Sequence, residues 1–126
     1  KGHLPERDGL YIGLLLCEIM AARKKKLSAL VEELMQEFGW HYFNRHDAHL
    51  TEKEKQRILA LYKRGVKKLG QFSVQRVETK DGYKLFIENG WTLVRASGTE
   101  PLIRFYAESD SPEKVEALLQ AARGVS

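Results

Sequence analysis

Within ten consecutive positions, Arg95 to Arg104, the chain gathers two guanidinium groups, the hydroxyls of Ser97 and Thr99, and Gly98. This inventory suits a phosphate dianion. An arginine presents a planar fork of N–H donors that meets phosphate oxygens in pairs, and hydroxyls add neutral donors. Gly98 allows a positive φ or a close approach of backbone to ligand. The same composition also describes an ordinary polar turn, in which Arg95 and Arg104 merely pair with Glu100 and Glu108. Composition alone does not separate the two.

A loop of this kind needs rigid flanks. Trp91 to Ala96 and Leu102 to Glu108 read as strands, which places the loop at a hairpin tip. Two more strands are predicted upstream, Phe72 to Thr79 and Tyr83 to Glu88, with turns at Asp81-Gly82 and Asn89-Gly90. Ser111 as N-cap, Pro112 at the first helical position, and Val115, Leu118, Leu119 and Ala122 predict a closing helix. The fold class is therefore α+β: a four-stranded antiparallel sheet with helices on one face. Phe86, Trp91, Phe105 and Tyr106 suit the core of such a sheet.

The upstream half is helical. Asp8 can cap a helix over Leu10 to Ala22 that is apolar nearly all round, as expected inside a layered α/β domain. Cys17 lies within it and reads as a buried structural thiol, with no partner for a disulfide. Ser28 can cap a second helix, striped by Leu30, Val31, Leu34, Met35 and Phe38 and stopped by Gly39. Trp40 to Leu50 reads as extended. Its His41, His46 and His49 lack cysteine and regular ligand spacing, so a surface and interdomain segment is expected rather than a metal site. Thr51 and Glu54 form a capping box opening a third helix, and Gly65 to Gly70 reads as a linker.

The string Arg95-Ala96-Ser97-Gly98-Thr99-Glu100-Pro101, with Arg104, resembles the phosphate-binding loop of the α-D-phosphohexomutases, the phosphoglucomutase and phosphomannomutase superfamily. In that family the loop lies in the fourth, C-terminal domain and grips the substrate phosphate that is not being transferred. Gly2-His3-Leu4-Pro5-Glu6-Arg7-Asp8-Gly9-Leu10 resembles the segment just after the sugar-specificity loop, near the end of domain three. The resemblance implies that residues 1–50 are the C-terminal remnant of domain three, helices and an extended tail left from an α/β domain. Residues 51–126 would be domain four, usually described as TATA-binding-protein-like. Phosphate contacts carry over to Arg95, Ser97, Gly98, Thr99 and Arg104. Glu100 would orient an arginine, since a carboxylate facing phosphate would repel it. Ala96 stands where the family often has proline. His3 and Arg7 are the candidates for lining the cleft near the sugar-specificity loop.

The implied reaction moves a phosphoryl group between the C1 and C6 oxygens of a hexose, through a phosphoserine, bound magnesium and a bisphosphorylated intermediate. No segment resembles the phosphoserine loop or the magnesium-holding aspartates. This chain is expected to carry no cofactor and to be inactive alone, the first two domains and most of the third being absent. Its expected partners are a hexose phosphate and the remaining domains of the same protein, with neither nucleic acid nor membrane. No stretch approaches the ~18 apolar residues of a membrane span, and cytoplasm is the default location.

A different reading is a free-standing phosphate- or nucleic-acid-binding module, favoured by a pI near 9.2 and by strand aromatics. Charge placement weighs against nucleic acid. Residues 1–70 carry 14 Lys+Arg against 9 Asp+Glu, whereas residues 71–126 carry 7 against 8. Basic charge on a nucleic-acid face would instead be gathered at the site.

Overall fold

The computed structural model describes residues 8–125. In chain order the elements are α1 (Gly9–Arg23), α2 (Leu27–Phe38), β1 (Tyr42–His49), α3 (Glu52–Lys63), β2 (Lys68–Leu69), β3 (Phe72–Ser73), β4 (Arg76–Glu78), β5 (Tyr83–Ile87), β6 (Gly90–Ala96), β7 (Leu102–Ser109) and α4 (Pro112–Arg123). They divide into two compact units, one running to Gly39 and the other from Trp40.

In the first unit, the Asp8 carboxylate caps α1 by accepting from the Tyr11 N–H at 2.9 Å. α1 is apolar around its circumference and buries no residue: Leu10 and Leu14 are 84% and 71% exposed. Cys17, expected to be buried, is exposed as well, because an all-round apolar helix needs cover on several sides. Glu33 of α2 ties the pair together through ion pairs with Arg23 and Lys25. The cap of α2 is Lys26 rather than Ser28. Its carbonyl accepts from both Ala29 and Leu30, so helical bonding has begun before Ser28. Gly39 ends α2 as expected, donating to the Met35 carbonyl at 2.9 Å.

The second unit is an antiparallel sheet in the order β1-β7-β6-β5-β4. It has five strands, not four. Residues 42–49, expected as a tail of the first unit, pair along β7 from Tyr42 with Ser109 to His49 with Leu102. The compact sheet unit consequently starts at Trp40 rather than after residue 50. The cause is backbone bookkeeping: β6 satisfies one edge of β7, and its other edge needs a partner too. The strand expected over Phe72 to Thr79 is split. β3 pairs with β2 in a separate two-stranded ladder, while β4 closes the far edge against β5.

α3 and α4 cover one face of the sheet. Strand alternation sends Leu85, Ile87, Val94, Ile103, Phe105 and Ala107 into that core, against Tyr62 of α3 and Leu118 and Leu119 of α4. The Tyr62 hydroxyl donates to the Ala122 carbonyl at 2.6 Å. α3 opens with the Thr51–Glu54 capping box, and Ser111 caps α4. In the turn after β4, Gly82 holds φ 97, and a Cβ there would sit 2.5 Å from the Val94 carbonyl oxygen. Of the strand aromatics, only Phe105 is core. Phe86, Trp91 and Tyr106 alternate onto the opposite face, where Arg76 lies over Phe86 at 3.7 Å and Lys84 over Trp91 at 3.9 Å.

Candidate functional site

The β6–β7 hairpin brings Arg95 and Arg104 together as direct cross-strand partners, with the loop 97–101 between them. Both alternate onto the face opposite α4. Neither is idle. Arg95 Nε lies 3.2 Å from Asp81 Oδ1, and Arg104 Nη2 donates to Glu100 Oε2 at 3.1 Å. Arg104 Nε sits 3.9 Å from Asp47 Oδ2, too far for a hydrogen bond, and is a buried donor without an acceptor. Glu108 pairs with His41 instead of an arginine, at 3.1 Å.

The loop itself is braced from several directions. The Ser97 N–H donates to the Leu102 carbonyl at 3.0 Å, and the Leu102 N–H donates to the Glu100 carbonyl at 2.8 Å. Ser97 is 7% exposed, and its hydroxyl oxygen accepts from the Glu100 N–H at 3.2 Å. The serine thus shapes the turn, leaving its hydroxyl proton for another acceptor. The Leu50 N–H holds the Pro101 carbonyl at 3.0 Å, and Lys55 Nζ donates to the Ser97 carbonyl at 3.0 Å.

Gly98 and Thr99 stand apart. Both are exposed, and among the described residues neither backbone N–H has an acceptor. Gly98 does not take the positive φ its type allows; instead, the space where a Cβ would project is open. The loop therefore presents two free amides and the Thr99 hydroxyl beside a pair of guanidinium groups. Such a set binds an anion with several oxygens. His3 and Arg7 fall outside the described residues.

Among the described residues, no three His, Cys, Asp or Glu side chains gather as metal ligands would. Strand alternation separates the β1 histidines: His46 reaches Glu116 of α4 at 3.4 Å, while His49 alternates to the other face. No described helix is long and apolar enough to cross a membrane.

Residues 46–125 match the model of the phosphoglucomutase/phosphomannomutase C-terminal domain. The chain belongs to the phosphoglucomutase/phosphomannomutase family. Residues 1–38 match the α/β/α domain III of the same family. A phosphoglucomutase/phosphomannomutase from Thermococcus kodakarensis is 35% identical over 114 residues, covering 90% of this chain and 23% of that protein. A phosphoglucosamine mutase from Methanocaldococcus jannaschii is 32% identical, covering 90% of this chain and 24% of that one. A crystal structure described as a putative phosphomannomutase from Thermus thermophilus superposes with a TM-score of 0.70 at 36% identity, covering 96% of this chain and 22% of its own. The chain thus spans about a quarter of the length of the phosphoglucomutase/phosphomannomutase relatives it matches.

Sequence reasoning missed Lys55, Asp47 and Asp81 around the loop. Asp81 had a visible signal as the first residue of an Asp-Gly turn, but nothing local tied Lys55 or Asp47 to a loop so distant in sequence.

Proposed function

We propose that residues 95–104 clamp the non-reacting phosphate of a hexose phosphate in a mutase that interconverts hexose 1-phosphate and hexose 6-phosphate through a bisphosphate. Residues up to Gly39 would then be the end of domain three, and those from Trp40 domain four. One observation carries the proposal: the free Gly98 and Thr99 amides lie at the tip of the hairpin that pairs Arg95 with Arg104.

The chemistry assigned to this chain is binding. A clamp on the distal phosphate converts remote binding energy into placement of the reacting oxygen. Because the two phosphates exchange roles across the catalytic cycle, the clamp must read phosphate and not sugar, as guanidinium forks and amides do. Arg95 and Arg104 supply charge and paired donors; Gly98, Thr99 and the Ser97 hydroxyl supply the remaining hydrogen bonds. Glu100 keeps the Arg104 fork at the loop. Magnesium would offset charge at the reacting end of the parent enzyme, but no donor set for it occurs among the described residues.

The test is an amide-detected NMR titration of the chain with inorganic phosphate and with glucose 6-phosphate. Binding in the millimolar range is expected, about 4 kcal/mol, because a few charge-assisted contacts must offset the entropy of association. Gly98 and Thr99 should shift along one saturating curve with both ligands. Shifts confined to residues outside 95–104 would return the loop to an ordinary polar turn.

A further inference from the structure

Lys55 lies in the first turns of α3, on the helix-bearing side of the sheet, and its side chain is only 13% exposed. A lysine so covered loses hydration and rotamer freedom and needs a reason to be held. Its ammonium donates to the Ser97 carbonyl at 3.0 Å, and the nearest carboxylate, Glu52 Oε2, is 3.6 Å away and 64% exposed. The shorter contact is therefore the one to the loop.

The consequence follows from peptide geometry. The chain has no cis peptide bond among the described residues, and in a trans unit the C=O and the following N–H point in opposite directions. Fixing the Ser97 carbonyl toward the Lys55 ammonium turns the Gly98 N–H away from it, and Arg95 and Arg104 alternate onto the sheet face opposite the helices. That same N–H has no acceptor among the described residues. The lysine adds positive charge behind the peptide as well, polarising it so that the Gly98 N–H becomes a better donor.

We propose that Lys55 is a positioning residue of the anion site: by holding the Ser97 carbonyl from α3, it aims the Gly98 amide at a phosphate gripped by Arg95 and Arg104. This rests on the phosphate-clamp reading above. The role is preorganisation, since an amide already aimed has no reorganisation left to undergo on binding. It also couples the site to the Thr51–Glu54 capping box, which fixes the start of the helix that carries Lys55.

The experiment compares the 126-residue wild-type chain with Lys55→Met, Lys55→Gln and Lys55→Arg by NMR titration with inorganic phosphate, alongside thermal melting. Lys55→Met keeps the apolar stem and removes no contact to the ligand; it should weaken phosphate binding roughly 5- to 10-fold, the worth of one ordinary hydrogen bond, that of the Gly98 amide left unaimed. The Gly98 amide response should shrink more than that of Thr99. Lys55→Arg, which keeps charge and donor, should return affinity to within roughly threefold. Lys55→Gln carries the test if Lys55→Met melts far below the wild type, and should fall between the two. Wild-type affinity and an unchanged Gly98 response in the neutral variants would overturn the role of Lys55 while leaving the clamp standing. A wild-type chain whose loop amides ignore phosphate would overturn both.

Discussion

Arg95 and Arg104 face each other directly across the β6–β7 ladder, yet each is turned to a different carboxylate, Asp81 and Glu100. Like charges set opposite on one sheet face are destabilising, and here the carboxylates offset that repulsion. A dianion between the two forks would do the same and more. On the proposed clamp, in a full-length mutase carrying this chain, Arg95→Ala should lower kcat/KM by roughly 10- to 1,000-fold, about 1.4–4 kcal/mol. Because both arginines would grip one ligand, the double alanine variant should lose less than the sum of the singles. Additive losses in a double-mutant cycle would mean separate sites.

Two glycines make opposite predictions. Gly82→Ala should destabilise the sheet by about 1–3 kcal/mol, because the new Cβ meets the Val94 carbonyl at 2.5 Å and φ is 97. Gly98→Ala meets open space and should leave stability within about 0.5 kcal/mol. It should instead weaken phosphate binding by placing a methyl where the ligand approaches. Chemical denaturation beside phosphate titration separates the two effects.

Tyr62 is 3% exposed, and burial raises its pKa above the ordinary 10.0. On alkalinisation the unfolded chain releases this proton before the native one does. The associated stability is intact below about pH 10 and is lost as pH rises beyond it. Melting temperatures should therefore drop steeply above about pH 10. Tyr62→Phe should cost about 1 kcal/mol at neutral pH through the lost bond to the Ala122 carbonyl, and it should flatten the alkaline drop.

No residue of α1 or α2 is buried, whereas β5 and β6 each bury two and β7 buries five. Hydrogen exchange in the isolated chain should reach the amides of residues 9–38 well before those of the central strands. Cys17, exposed on α1, should react with a small alkylating reagent under native conditions. Slow exchange throughout α1 together with an inert Cys17 would show that this helix is covered in solution.

Local signals were legible wherever a few adjacent residues decide the structure. Thr51 with Glu54, Ser111 with Pro112, and Asp81-Gly82 each mark an element boundary by their own chemistry, and the Arg95–Arg104 string marks the candidate site. β1 was not recognised as part of the sheet because Phe43-Asn44-Arg45-His46-Asp47 carries little apolar alternation. Its strand character comes from the free edge of β7, a partner remote in the chain. Lys55 was hidden for the same reason: as one lysine among the charged residues of an outward-reading helix, it acquires meaning only when α3 docks beside Ser97. Trp91 and Tyr106 read as core since aromatics favour strands on either face, and alternation alone cannot say which face carries the helices.

The pairing of β1 with β7 sets an order of assembly. The β6–β7 hairpin closes a short loop, whereas joining Tyr42 to Ser109 must close nearly the whole second unit and costs more chain entropy. The hairpin should form first and β1 dock late, so pulse-labelled exchange should protect Val94 before Phe43. Asp47 reaches Arg104 only with that last strand. The loop that would hold phosphate is then older, in the life of each newly made molecule, than the second carboxylate, that of Asp47, which comes to lie 3.9 Å from its arginine.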